Sequence, residues 1–260
     1  MFVEERQQKI LEILREEGKV SVDVLADVFG VSAPTIRADL GALETRRLLR
    51  RTHGGAIPLE TTLFEPPFGV REQTQRDEKR RIARVAAARV RDNETVLLDA
   101  GTTVTEMTPF LLERRGLTVV TNSLPTAFEL ADAGGVGVIL IGGMVHSERR
   151  ATLGPLATEF LRDMKVDRAF IGVNGVAEDA GFTVVDFDAA QVKRAMMARA
   201  REVVVVADHS KLGEATFASV GPLAAAQYLI TDAPIERESL RAALDEAGVI
   251  VIQEADRRAV

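Results

Sequence analysis

The sequence predicts a two-domain α/β protein: a small helical domain over residues 1–58, a linker over 59–76, and a larger, mostly parallel α/β domain over 77–260. Three observations carry this. Short amphipathic helical stretches fill the first fifty residues. Pro66-Pro67 interrupts a stretch without periodicity. Beyond residue 77, short apolar runs alternate with helical ones.

In the first domain, Ile10, Leu11, Ile13 and Leu14 share one side of a helix over 5–16, which Gly18 ends. Ser21 is an N-cap for a second helix carrying Val24, Leu25 and Val28, closed by Gly30. Ser32 caps a third, with Pro34 in its first turn, where a missing N–H costs little. Ile36, Leu40 and Leu43 then form an inward stripe, so the 100° step turns Pro34, Ala38, Gly41 and Thr45 outward. Three short helices with a tight second turn describe a helix-turn-helix. Thr35 and Arg37 flank the outward face near the helix N-terminus, the end that meets base edges in the major groove. LLRRTHGGAI, with a Gly54-Gly55 turn, reads as a β-wing on which Arg50 and Arg51 would contact phosphates. His53 packs or hydrogen-bonds on the wing. The bland alternative is a three-helix packing module with a solvated basic face.

In the second domain, Ile82, Val85, Ala86 and Val90 mark an amphipathic helix starting near Asp77. TVLLDA, LTVVTN, VGVILIGG, RAFIGVNGV, REVVVVADHS and AQYLITD are buried strands by length and branching. Helical stretches at Pro125–Ala131, Leu156–Met164 and Ala189–Ala200 separate several of them. The strand ends are polar and glycine-rich, where open α/β sheets bind ligands. Asp99-Ala100-Gly101-Thr102-Thr103 opens a helix and forms an anion cradle. Asn122, Gly142-Gly143, Gly172, Asn174 and Lys211 end other strands, and Lys193 lies on a helix able to supply a cation. Such loops suit a phosphorylated polyol; taken singly, each is as well explained by a tight βα turn. No P-loop or G-x-G-x-x-G spacing is present, which disfavours a nucleotide.

The charge must be read by segment. The 260 residues net −6, which taken whole argues against nucleic acid. Residues 1–31 net −3 and residues 32–58 net +3, so the six surplus negative charges all lie beyond residue 58. With no cysteine there is no thiolate chemistry and no disulfide, and three scattered histidines argue against a metal site. No run reaches membrane-span length and the start MFVEERQQKI lacks a signal-peptide h-region, so the expected location is cytoplasmic, with no membrane partner.

The FGVS-x-x-TIR-x-DL-x-x-LE core followed by L-x-RTHGGA resembles the N-terminal domain of the DeoR family of bacterial transcriptional regulators. From about residue 77 to 232, DEKRRIA, LLDAGTT, LTVVTNSL, LGPLA, RAFIGVNGV, VKRAMM, ADHSKLG and LITD resemble the same family's sensor domain. The resemblance implies a winged helix-turn-helix joined to a sensor similar in fold to ribose-5-phosphate isomerase and CoA transferases. It implies a repressor of a carbohydrate-metabolism operon, released from double-stranded operator DNA by a phosphorylated sugar or related metabolite. No cofactor, metal or catalytic residue is expected, and a two-fold operator implies a homodimer or homotetramer. DNA contact is assigned to Ser32, Thr35, Arg37, Arg46, Arg47, Arg50, Arg51 and His53. Effector contact is assigned to Asp99, Gly101, Thr102, Thr103, Asn122, Gly142, Gly143, Gly172, Asn174, Lys193 and Lys211. The chain departs from the family pattern in three places. Ala38 removes one potential DNA contact. Arg47 replaces a glycine, either costing roughly 1–2 kcal/mol at positive φ or extending the helix as a phosphate contact. Ala189 replaces a carboxylate for which Asp186 or Asp188 is near enough to substitute. The alternatives are a sugar-phosphate isomerase-like enzyme with an appended helical domain, and a domain that only assembles the oligomer.

Overall fold

The computed structural model describes residues 2–46, 48–57 and 65–253. The chain divides into two compact units, Met1–Pro66 and Pro67–Val260.

In the first unit the helices are α1 (Val3–Glu17), α2 (Val22–Phe29) and α3 (Ala33–Thr45). The strands β1 (Val20–Ser21), β2 (Arg50–Thr52) and β3 (Gly55–Ile57) form an antiparallel sheet in the order β1-β3-β2. The boundaries follow from capping chemistry. Ser21 accepts the Val24 N–H at 3.2 Å and Ser32 that of Thr35 at 3.4 Å, while Gly18 and Gly30 end α1 and α2 in the left-handed region. Ile36, Leu40 and Leu43 are buried, as their spacing requires, and so are Ile10 and Leu14 of α1 and Leu25 of α2, the helices that pack on α3. On α2 only Leu25 of the three marked apolar residues is buried; Val24 and Val28 face solvent. Asp39 shares the inward side of α3 and needs a partner there. Arg6 supplies it, with Nε 2.6 Å from Oδ2, and Gln7 donates to Oδ1 at 3.1 Å. Gly55 is required by close packing, since a Cβ built there would lie 1.8 Å from the Val20 carbonyl oxygen of the neighbouring strand.

The second unit opens with α4 (Phe68–Gln73), α5 (Arg76–Ala88), β4 (Thr95–Leu98), α6 (Thr102–Thr105), α7 (Thr108–Leu111), β5 (Thr118–Thr121), α8 (Leu124–Ala133) and β6 (Gly137–Leu140). It continues through β7 (Met144–His146), β8 (Ala151–Leu153), α9 (Pro155–Phe160), β9 (Val166–Gly172), β10 (Gly175–Ala177), β11 (Gly181–Val184) and α10 (Phe187–Met197). The last elements are β12 (Ala200–Val206), β13 (Ala218–Gly221), β14 (Tyr228–Thr231), α11 (Glu238–Glu246) and β15 (Ile250–Gln253).

Seven strands form one sheet in the order β15-β14-β12-β9-β4-β5-β6, and every pairing within it is parallel. Alternation explains the continuous apolar runs. Leu97, Val203 and Val205 enter the core that includes α9, α10 and α11; Val96, Leu98, Val204 and Val206 enter the core that includes α5 and α7. The runs of β4, β5, β9, β12 and β14 are apolar because both faces are covered; VGVILIGG, expected to be a buried strand, instead gives β6 at the sheet edge, with Ile139 and Leu140 exposed, because an edge strand has a neighbour on one side only.

The segment expected to be linker departs from that expectation. Residues 58–64 lie outside the described residues, but Phe68–Gln73 is helical and Phe68 is almost fully buried. Six residues are too few to display a helical period, and the Pro66-Pro67 pair reads as a break although Pro67 is the N-cap position of α4.

Replacing Asp39 with alanine leaves the Arg6 charge buried without its carboxylate, so the first unit is expected to lose about 3–5 kcal/mol. Urea unfolding of the full chain, followed by far-UV circular dichroism, checks this as a separate early transition. Gly55→Ala should open the β1–β3 pairing, read as faster amide exchange at Ala56.

Candidate functional site

The first candidate surface lies on α3 and the hairpin. Arg37, Arg50, Arg51 and His53 are exposed, and the β2 side chains point to solvent along the whole strand. Ser32 and Thr35 are engaged locally: their hydroxyl oxygens are 2.8 Å apart, and Ser32 Oγ also caps the helix. Thr35 thus sits at the first turn of α3 with its side chain oriented by the cap. Arg51 is placed by two features, its N–H donating to Glu44 Oε1 at 2.8 Å and its guanidinium lying against Gly41. Arg46 closes α3 as its C-cap and reaches Gln7 Oε1 at 3.4 Å, which ties this exposed arginine back to α1. Arg47 lies outside the described residues. Ala38 is exposed on the same face as Arg37.

The second candidate site is set by strand order. From β4 the chain moves outward through β5 and β6, then returns to place β9 on the other side of β4 and proceeds the opposite way. The loops after β4 and β9 therefore diverge and leave a crevice at their C-terminal ends. Asp99 ends β4 inside it. One of its carboxylate oxygens, Oδ2, accepts the Gly172 N–H at 3.1 Å and pairs with Lys193 Nζ, both side chains being buried. Gly101 and Gly172 flank that oxygen. A Cβ built on either would lie 3.5–3.7 Å from it, an ordinary contact, so neither glycine is there to relieve a clash with the carboxylate. Asn122, at the end of β5, accepts the Ala100 N–H at 2.9 Å and donates to the Thr152 carbonyl at 3.1 Å. It thereby fixes the path of the 99–101 loop. Thr102 and Thr103 are buried in the first turn of α6.

Asp99, Gly101, Asn122, Gly172 and Lys193 are thus joined through direct or one-step contacts. Others among the expected residues stand apart. Gly142 and Gly143 end β6, two strands from β4. Gly143 has φ +149° and would bring a Cβ to 2.7 Å from the Leu153 carbonyl, a close-packing reason for glycine. Asn174 accepts the Val185 N–H at 3.3 Å across the open end of the β10–β11 hairpin. Lys193 was expected to supply a cation, but its ammonium is compensated by Asp99, and the pair is neutral as a unit. The helix step that places Lys193 inward also places Ala189 inward and buried. Asp186 does not take the place of the missing carboxylate freely, because it caps α10 through the Ala189 N–H at 2.7 Å and lies 3.7 Å from Arg149.

A second polar group lies after β12 and β14. Asp208 is buried and accepts the Ser210 N–H at 3.2 Å together with the Ser210 hydroxyl. Burial opposes its ionisation, but the Lys211 charge, the Ser210 hydroxyl, the Lys79 charge and the Ser210 N–H outweigh that and hold the carboxyl below its ordinary value near 3.8. Next to it His209 Nδ1 lies 2.8 Å from Asp232 Oδ2, and His209 Nε2 lies 3.4 Å from Gln75 Nε2. Sequence reasoning missed Lys79, Gln75 and Asp232 as members of this rim. The available signal was Lys79 on the inward side of α5, beside Ile82, Ala83 and Ala86, where a buried lysine needs acceptors.

These two units define a class: a DNA-binding transcriptional regulator with a helix-turn-helix unit and a separate sensing unit. The model of the DeoR-like helix-turn-helix domain matches residues 6–62, and that of the DeoR C terminal sensor domain matches residues 74–233. The chain belongs to the DeoR family of transcriptional regulators.

It is 35% identical over 246 residues to the HTH-type transcriptional regulator YulB of Bacillus subtilis, covering 95% of each chain. It is 33% identical to the glycerol-3-phosphate regulon repressor of Escherichia coli, covering 88% of this chain and 91% of that one. It is 35% identical to the transcriptional repressor GlcR of Bacillus subtilis, covering 98% of both. Among solved structures it is similar to ribose 5-phosphate isomerase A of Methanocaldococcus jannaschii, with 20% identity, a TM-score of 0.40 and 54% of this chain covered. The chain spans about half of that protein, 55%. The family is one of regulators and not of enzymes, so the isomerase alternative is the less supported reading. Among the described residues no helix is long and apolar enough to cross a membrane.

Two outcomes follow from the crevice. Gly172→Ala, whose added Cβ meets only ordinary contacts, should leave the stability of the second unit within about 1 kcal/mol of the parent in urea unfolding. Because the Asp208 carboxyl is depressed, its contribution to stability is complete above pH about 4 and disappears as pH falls through its folded value. Lys211→Ala should shrink that acid-side loss, measured by urea unfolding between pH 7 and 3.

Proposed function

We propose that this chain is a cytoplasmic repressor of a carbohydrate-metabolism operon, displaced from its operator by a phosphorylated sugar or related metabolite. The observation that supports the reading is the β4–β9 reversal of strand order, where Asp99, Lys193, Gly101 and Gly172 meet at the C-terminal strand ends. Loop N–H groups and hydroxyls at 101–103 favour an anionic group, and the Asp99–Lys193 pair offers both an acceptor and donors to polyol hydroxyls. The names of relatives such as the glycerol-3-phosphate regulon repressor support a phosphorylated polyol as the ligand class.

On the DNA side, the assigned residues divide by chemistry. Arg37 and Thr35, on the first turns of α3, read base edges; Arg46, Arg47, Arg50, Arg51 and His53 hold phosphates, with Ser32 orienting Thr35. The effector set comprises Asp99, Gly101, Thr102, Thr103, Asn122 and Gly172 at the crevice, with Lys193 neutralising Asp99. Lys211 supplies charge at its rim, and Asn174, Gly142 and Gly143 shape outer loops. Two-fold operators require two recognition helices about one DNA turn apart, so the working state is a homodimer or homotetramer.

Footprinting of the bound protein across its genome identifies the operator and the neighbouring operon. On that duplex, Arg37→Ala should cost about 1–3 kcal/mol of binding and relax specificity at one base pair. The affinity of the parent should fall steeply with salt, and a flat salt response would remove the DNA reading. Within a panel of glycerol 3-phosphate, ribose 5-phosphate, fructose 1-phosphate and glucose 6-phosphate, at least one compound should stabilise the second unit, by about 2.7 kcal/mol at a hundred times its Kd.

A further inference from the structure

The seven-stranded sheet ends in two edges of different character. β15 forms one, and Asp245 and Glu246 precede it in the chain while Glu254 follows it. β6 forms the other, and residues 133–147 around it include no Asp, Glu, Lys, Arg or Pro. An edge strand of a protein that works alone is ordinarily blunted by a charge, a proline or a bulge. None of these interrupts β6: its register with β5 runs unbroken from Gly137 to Leu140. Among the described residues no strand pairs with its outer side.

The backbone groups of β6 divide between its two sides. The Gly137 N–H donates to the Leu117 carbonyl at 2.9 Å and the Ile141 N–H to the Thr121 carbonyl at 2.8 Å, both toward β5. Alternation along the strand then turns the N–H and C=O of Val138 and Leu140 outward. A second β6 running antiparallel, with Ile139 opposite its own copy, sets Val138 opposite Leu140 twice over. Each such pair exchanges both of its hydrogen bonds, so the outward groups of the two strands satisfy one another.

Apolar side chains continue this surface beyond the strand. Ile139 and Leu140 are 38% and 43% exposed, and Met144 and Val145 of β7 are 71% and 59% exposed. The Thr152 hydroxyl donates to the Ile141 carbonyl at 2.6 Å, which holds the β7–β8 hairpin against the end of β6. Gly143 lies close to α9, where a built Cβ would be 3.3 Å from that of Ala157. α9 adds Leu156, which is 72% exposed. Single exposed apolar residues are ordinary, whereas a group fixed beside an unpaired strand marks a contact surface.

We propose that β6, with Met144, Val145 and Leu156, is the two-fold interface with a second copy of this chain, β6 pairing with β6 to continue the sheet across both copies. Charge selects this edge for a self-contact. Six surplus negative charges lie beyond residue 58, so two such bodies repel, and they repel least where neither carries charge. Closure favours a second copy as well: antiparallel self-pairing uses the same edge on both molecules, so assembly stops there and does not grow into a fibre. The choice of occupant also rests on the regulator reading given under the proposed function, which needs two recognition helices.

Sedimentation of the full chain without DNA, across a dilution series, tests the interface. The parent should sediment as a dimer or an even multiple of one. Ile139→Lys, which sets like charges face to face across the axis, should halve that mass while its far-UV circular dichroism matches the parent. Ile250→Lys, at the β15 edge, should leave the mass unchanged. If Ile139→Lys does not fold, Met144→Lys, at a side chain already largely in water, replaces it under the same criterion.

Amide exchange gives the second readout. The Val138 and Leu140 amides should exchange at least about tenfold more slowly in the associated parent than in the dissociated variant, while those of Gly137 and Ile141, bonded to β5, stay within about threefold. A monomeric parent, a variant of unchanged mass, or equal exchange at Val138 and Leu140 would overturn the interface, as would halving of the mass by Ile250→Lys. A parent that associates through β6 and yet ignores the footprinted duplex removes the regulator reading and leaves the interface standing.

Discussion

A buried carboxylate at the centre of the sheet organises the second unit. Asp99 sits where the strand order reverses, and removing a negative charge from water there is unfavourable unless donors surround it. The Gly172 N–H from β9 and the Lys193 ammonium from α10 meet that need. The one side chain thus ties together the two strands whose loops diverge and the helix that covers them. Gly101 and Gly172 lie on either side of that oxygen, where a built Cβ would be 3.5–3.7 Å from it. What makes the crevice polar is the same set of contacts that holds it together.

The first unit repeats the logic at smaller scale. Asp39 is buried on α3 and is met by Arg6 and Gln7 from α1, so the recognition helix is oriented by a polar contact as well as by its apolar stripe. The arginines on its outer side are then free of core duty, apart from Arg46, which reaches back to Gln7. A chain netting −6 can nevertheless present a basic face, since the positive surplus is confined to residues 32–58. The acidic surplus lies beyond residue 58.

Elements whose signal is local were legible in the sequence. The caps at Ser21 and Ser32, the stripe Ile36-Leu40-Leu43 and the apolar runs that became β4, β5, β9, β12 and β14 depend on neighbours a few residues away. Elements shorter than one clear period were not. α4 and α7, the small sheet β10-β11-β13 and the β7–β8 hairpin are set by what they pack against, whereas the start of α6 after Gly101 was marked by its sequence. The strand β15 and helix α11 passed unmarked, although Leu240 and Leu244 of α11 are buried in the core. The candidate site divided in the same way. Asp99, Gly101 and Gly172 announced themselves as polar ends of apolar runs, whereas Lys79 and Asp232 were hidden among ordinary charged residues of helix and turn.

The sequence by itself determined the two-domain α/β architecture, the existence of a basic stretch at 32–58 within an acidic chain, and the positions where strands end in glycine and polar residues. Those are properties of composition and short-range pattern. Tertiary structure alone decided which loops share a crevice, because that depends on strand order, and order reverses between β4 and β9 without any local mark. It decided that Lys193 neutralises Asp99 instead of standing as a free cation, and that the segment after Pro67 is part of the folded sensor. Both outcomes turn on buried charges finding partners from distant parts of the chain, a requirement that no window of sequence displays.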